Sequence, residues 1–171
     1  MTISMSSASV PVFRTMLGNL SHILDKAQAH AEARKFDPSA LLQYRLAPDM
    51  LSFTRQIQIA CDAAKNGVAR ISGVEAPKIE DTESTFSELK ARIQKTLDYL
   101  ATVPADRLDG TEQKDITFSV GRETTRTMKG EAYLKHWALP NFFFHVTTAY
   151  AILRHNGVEL GKADYLAGAK A

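Results

Sequence analysis

Chemistry near neutral pH most often runs through imidazole, which changes charge in that range and is also the commonest metal ligand. The chain carries five histidines. His145 differs from the others because it sits in the middle of the most apolar run of the sequence, LPNFFFHVTTAYAILRHNGV at residues 139–158, whereas His155 lies at the polar end of that run, in the last turn before Gly157. Wound as a helix at about 100° per residue, this run puts Asn141 and Ile152 within about 40° of His145 and Thr148 at about 60°. His145 therefore faces inward, with Asn141 one turn before it and Thr148 nearly one turn after. Gln56, in an earlier helical pattern, projects between Phe53, Ala60 and Ala63, again a polar side chain inside an apolar arc. Two readings of His145 follow. In one it is a buried neutral imidazole hydrogen-bonded by Thr148, Asn141 or Gln56, because an unmade buried hydrogen bond costs about 1–3 kcal/mol. In the other, these four residues converge on a ligand or metal in a pocket between helices.

The remaining reactive side chains carry weaker signals. His136 and Trp137 precede Pro140, where a partly buried Trp with a capping histidine is the default; their place at the mouth of the last helix makes them candidate pocket-rim residues. His22 and His30 differ by about 80° in direction and both miss the inward stripe of their helix, so both are expected at the surface. Cys61 lies on an apolar flank and Asp62 on a polar one, which reads as a buried, inert thiol rather than a thiol site. Asp49 reads as a helix cap rather than an acid catalyst. The sequence has no glycine-rich phosphate loop, nucleophile elbow, CxxC or HExxH motif.

Four long amphipathic patterns must position these groups. The first spans about residues 9–34, with Val10, Phe13, Leu17, Leu20, Leu24, Ala27 and Ala31 on one stripe, and ends before the turn at Phe36-Asp37-Pro38. The second starts at Ala47-Pro48-Asp49 and continues to Ile71 before Gly73, with Arg55, Gln58, Asp62 and Lys65 opposite its apolar face. The third starts where Thr85 and Glu88 have capping-box spacing and buries Phe86, Leu89, Ile93, Leu97 and Leu100. Ile116, Phe118 and Val120 then alternate with polar residues, and Gly121-Arg122 turns the chain into a β-hairpin. The fourth helix follows a break or restart near Leu139, with Pro140 in its first turn, and stops at Gly157. The tail after it reads as short and irregular. These elements predict an all-α fold, an antiparallel four-helix bundle with a short β-hairpin before the last helix, as one domain over residues 1–171.

Composition narrows the function class. A formal net charge of +2, with basic residues scattered among acids, does not suggest a nucleic-acid partner. The absence of a long uncharged apolar run argues against a membrane span, and the lone Cys61 with no signal-like start points to the cytoplasm. Phe143, Val146 and Tyr150 give the last helix a second apolar face, which is covered by the hairpin and tail or by a second copy in a homodimer.

The run LPNFFFHVTTAYAILRHNGV, followed by LGKADYL and preceded by LAPDMLSFTRQIQIACDAAK, resembles an uncharacterised bacterial family in the DinB/YfiT-like superfamily, over essentially the whole chain. The resemblance implies an up-down-down-up four-helix bundle, often dimeric. In the superfamily's metal-binding members three histidines hold a divalent metal, one from the second helix and a His-x-x-x-His pair from the last. Relatives include thiol-dependent transferases and an isomerase that act on small molecules. Here His145 aligns with the second histidine of the pair, Asn141 stands where the first would be, and Gln56 is the nearest counterpart on the second helix. Neutral amides are weak ligands for a transition metal, so Asn141 and Gln56 disfavour Zn or Ni even though His145 is a metal candidate. If the protein is an enzyme of the kind the resemblance implies, His145 is its acid or base, with Asn141, Thr148 and Gln56 lining a pocket for a small-molecule ligand and His136 and Trp137 at its rim. The alternative is a non-catalytic ligand-binding or interaction bundle that keeps His145 as a satisfied core residue.

Overall fold

The computed structural model describes residues 3–121 and 123–168. It is mainly helical, with one two-stranded antiparallel sheet. Helix α1 (Val10–Ala33) has Pro11 in its first turn, where the missing N–H goes unneeded. It buries Phe13, Leu17, Leu20, Leu24, Ala27 and Ala31, the stripe expected from the spacing. A five-residue helix, α2 (Ser39–Gln43), then occupies what reads in the sequence as plain turn. Helix α3 (Phe53–Ser72) starts later than the Ala47-Pro48-Asp49 signal suggests. Its N-cap is Ser52, and Asp49 lies in the preceding turn rather than capping it. Gly73 ends it with φ of +75°, a left-handed cap that glycine adopts without Cβ strain.

Helix α4 (Phe86–Thr102) opens with the expected capping box: the Glu88 N–H donates to Thr85 Oγ1 and the Thr85 N–H to the Glu88 carboxylate. Strands β1 (Asp115–Val120) and β2 (Thr124–Lys129) pair with Phe118 opposite Arg126. Alternation buries Ile116 and Phe118, and Phe118 packs on Tyr133 and Trp137 with ring centroids 4.9 Å away in each case. The expected turn residue Arg122 lies outside the described residues; Gly121 has φ of +71°.

The chain does not break before the last helix. Helix α5 (Gly130–Tyr133) runs through a wide π-helical turn (Leu134–Ala138) straight into α6 (Leu139–His155). Pro140 has no N–H, and its ring crowds the carbonyl four residues earlier; a widened turn relieves that without ending the helix. Gly157, with φ of +84°, closes α6.

The tail is not irregular. Residues Lys162–Ala167 form α7, whose first turn is capped by Asp164 accepting from the Gly161 N–H at 2.8 Å. It is pinned to α1: Asn19 donates to the Tyr165 carbonyl at 2.9 Å, and Lys26 and His22 reach Asp164 at 2.9 and 3.2 Å. His22 is accordingly half-buried rather than a free surface residue. The Gly161 N–H holds the Asp164 carboxyl below its ordinary pKa against the effect of burial, with Lys26 and His22 adding to it. Helices α1, α3, α4 and α6 pack around one apolar core, and α3 touches both α4 and α6. Among the described residues no helix is long and apolar enough to cross a membrane.

Candidate functional site

Two of the sequence-predicted residues meet directly. His145 Nδ1 lies 2.7 Å from Gln56 Oε1 across the α3–α6 contact, inside the protein. The Gln56 amide cannot be turned round freely, because its Nε2–H donates to the Leu51 carbonyl at 3.1 Å. That carbonyl can only accept, so it fixes Oε1 toward the imidazole. Oε1 is also only an acceptor, so Nδ1 must carry the proton and donate. The neutral imidazole then has its lone pair on Nε2. Burial pushes the His145 pKa below 6.5, which keeps that neutral form at pH 7. His145 is 8% exposed, and Nε2 makes no hydrogen bond to a described residue.

The other predicted partners stand apart from this pair. Thr148 is buried, but its hydroxyl donates to the Phe144 carbonyl of its own helix at 2.7 Å and so is not the imidazole's partner. Asn141 is half-buried one turn before His145. Trp137 packs against the hairpin, on Phe118 and under Arg126, while His136 points into solvent beside it. The second apolar face of α6 is partly covered within the chain: Val146 is buried, Phe143 meets Phe142, and Tyr165 of the tail meets Tyr150. Phe144, beside the imidazole with its ring edge-on at 5.1 Å, is 57% exposed.

Whether this donor set fits a divalent metal can be judged from its geometry. Two ligands at about 2.1 Å from a tetrahedral ion stand roughly 3.4 Å apart, with lone pairs turned toward the ion. Gln56 and His145 are closer, and their contact is a hydrogen bond with the Nδ1 proton between them. Among the described residues no three His, Cys, Asp or Glu side chains gather as a metal-ligating set. Cys61 does not supply a ligand or nucleophile: it is fully buried, and burial pushes its thiol up to about 12.

A second polar centre escaped the sequence reading. Arg92 on α4 is fully buried, with Asp62, Asp81 and Glu83 each 3.0 Å from its guanidinium. Lys65 pairs with Asp62, Arg55 with Asp81, and Gln58 donates to Glu83 at 2.8 Å. Three cations therefore meet three carboxylates. Arg92 also donates to the Glu80 carbonyl at 3.2 Å, holding the segment 74–83 (the strap) over α4. Its Nε–H is buried and has no hydrogen-bond partner among the described residues. Between strap and α4 runs a groove of about 1060 Å³, lined by Glu75, Ile79, Ala91, Arg92, Lys95 and Tyr99 among others and distinct from the His145 pair. Polar residues facing a third helix wheel were the only signal: Arg92 lies about 60° from Leu89, on the side of Tyr99.

The mainly helical architecture with a β-ribbon leading into the last helix is that of a DinB-like protein. The chain belongs to the domain of unknown function family DUF1993, which matches residues 5–166. It is similar to a solved structure, a DinB family member protein from Shewanella denitrificans, at 45% identity over 94% of this chain and 90% of that one, with a TM-score of 0.86. No curated protein matches the chain.

Proposed function

We propose that this protein is an up-down-down-up four-helix bundle whose His145 receives a proton from, or accepts a hydrogen bond from, a small-molecule ligand through Nε2. The observation that carries the reading is the relay Leu51 carbonyl–Gln56 amide–His145 Nδ1, because it sets the tautomer and leaves a neutral, basic nitrogen uncommitted. Gln56 is then a positioning residue and His145 the acid or base. Transfer or isomerisation on a small molecule, with a thiol as co-reactant, is the reaction class that the family resemblance supports, and a cytoplasmic setting suits a thiol. The donor set speaks for a site that works without Zn or Ni, since one imidazole bonded to an amide does not make a ligand shell. Asn141, half-buried one turn away, would orient the ligand, with Thr148, His136 and Trp137 as further contacts.

The test is ¹⁵N NMR of the His145 imidazole during titration with glutathione and coenzyme A. Before ligand, the Nδ1-protonated tautomer should dominate, and Gln56→Leu should mix the tautomers. Ligand binding should move the Nε2 resonance, and His145→Phe should abolish binding while the fold persists. A tautomer unchanged by Gln56→Leu, or an Nε2 signal blind to every thiol, would sink the proposal.

A second reading has its own support, the 8% exposure of His145. In it the pair only satisfies the core, and His145→Phe costs about 1–3 kcal/mol by stranding the Gln56 carbonyl oxygen. The homodimer stays a proposal, supported by the exposed Phe144 ring; sedimentation of Phe144→Lys beside the wild type tests it.

A further inference from the structure

The imidazole of His145 is nearly shut in, yet its free nitrogen is within reach of water. Among the described residues, Arg92 Nε is the one buried side-chain polar atom without a hydrogen-bond partner. His145 Nε2 has no partner among them either, so a buried Nε2 would be a second such atom. It is not one, and solvent therefore touches it. The 8% of His145 left exposed thus includes a basic nitrogen, on a side chain more than nine-tenths buried.

Hydrogen-bond direction limits what can sit there. Nδ1 gives its proton to Gln56 Oε1, so Nε2 offers a lone pair and can only accept. A carboxylate or phosphate oxygen would set lone pair against lone pair. The occupant has to bring a donor.

Charge narrows the choice further. Residues 136–153 contain no Asp, Glu, Lys or Arg, and neither do residues 50–54. Arg55, the first cation on α3, is turned to Asp81 and Gln58 instead. Burial alone lowers the His145 pKa, with no contribution from a neighbouring charge. An ammonium brought to Nε2 would shed water with no countercharge to replace it. An uncharged hydroxyl or thiol meets both conditions.

The surroundings say what should carry that donor. The contacts run from the Leu51 carbonyl through the Gln56 amide to the imidazole, and from the imidazole to the Phe144 ring edge-on at 5.1 Å. Both ends of this series are large apolar residues that the chain leaves uncovered, Leu51 at 45% and Phe144 at 57% exposure. Apolar walls with one placed polar atom between them are the usual make-up of a small-molecule site.

Given Nε2 as the ligand contact, as proposed above, we infer that the site selects an uncharged hydroxyl or thiol compound with an aromatic or alkyl body. The donor sits on Nε2 and the body lies against Phe144 and Leu51. This choice of ligand rests on that contact and adds to it a rule of exclusion: no charge at the reacting end, and no acceptor in place of the donor.

Three compounds of similar size separate these requirements in a ¹⁵N titration of the full chain. They are 4-methylphenol, 4-methylanisole, which lacks the donor, and 4-hydroxyphenylacetate, which adds a carboxylate. 4-Methylphenol should move the His145 Nε2 resonance together with the amides of Phe144 and Leu51. 4-Methylanisole should bind about fivefold more weakly and 4-hydroxyphenylacetate at least about tenfold more weakly. Leu51→Lys, at an exposed position, should narrow or reverse the preference against the carboxylate while His145 keeps its tautomer. Equal affinity for 4-methylphenol and 4-hydroxyphenylacetate, or for 4-methylphenol and 4-methylanisole, would overturn this ligand class and leave Nε2 as the contact. An Nε2 resonance that neither the phenols nor glutathione moves at millimolar concentration would overturn both.

Discussion

Replacing Arg92 by methionine, of similar length and no charge, should destabilise the protein by about 3 kcal/mol. The figure is built from what each carboxylate keeps. Loss of one partner from a buried ion pair costs about 3–5 kcal/mol, because the other charge stays in a place water cannot reach. Asp62 and Asp81 have 33% and 40% of their side-chain surface exposed and retain Lys65 and Arg55, so they contribute little. Glu83 is the costly one, 8% exposed and left with only the neutral Gln58 amide. That puts the loss at the lower end of the range. For a chain of 171 residues it corresponds to a fall in Tm of roughly 6–12 °C.

Urea unfolding followed by far-UV circular dichroism measures it, with Arg92→Lys as the second variant. Lysine restores a charge but not the forked set of donors, so it should recover only part of the loss. The midpoint should move without a change in slope if the native fold is kept. Should Arg92→Met prove as stable as the wild type, the cluster would be one whose desolvation cancels its attraction. The strap would then be held by packing alone.

Three further outcomes follow. Burial lowers the His145 pKa from 6.5, so the folded state resists the proton that the unfolded chain accepts. Stability due to this group is complete above pH 6.5 and declines as pH falls from there toward the folded pKa. Unfolding of wild type minus His145→Phe between pH 8 and 5 should show that decline; a difference that grows on acidification would contradict the burial. Gly130→Ala should cost about 2–3 kcal/mol, since a Cβ there would stand 2.1 Å from the Thr111 carbonyl oxygen, and backbone cannot yield as a side chain does. Thermal melting reads it, and a loss under 1 kcal/mol would mean that the turn before β1 relaxes. The Cys61 thiol, buried and pushed up to about 12, should resist a thiol-specific disulfide reagent in native buffer and react only on unfolding.

The inward direction of His145 and of Gln56 was legible because helical periodicity assigns a direction to each residue. Their direct bond was not, since a helical wheel carries no information on which level of α3 meets which level of α6. Gln58 and Lys65 were set opposite the apolar face, and Arg92 passed over, for a different reason. Residue type sends them to a solvated face, and only the strap, folding back from residues 74–83, puts that face inside. The six residues of α7 are too few for periodicity to register, and a helix so short does not stand alone in water. It forms because Asp164 caps it and ties it to His22 and Lys26, over 130 positions earlier in the chain. The π-helical turn was hidden behind Pro140, whose usual meaning is a stop.

Both polar centres depend on α3, and they use different sides of it. Gln56 turns to α6, while Gln58, Asp62 and Lys65 turn to α4 and the strap. A glutamine two positions from another points about 200° away on a helix, so one element can serve two separate networks with no shared side chain. Substitutions at the two centres should then add within about 0.5 kcal/mol, as they do for sites without common partners. A coupling larger than that would mean that α3 shifts as a rigid rod between α4 and α6, and the His145 site would then be set by what the strap holds.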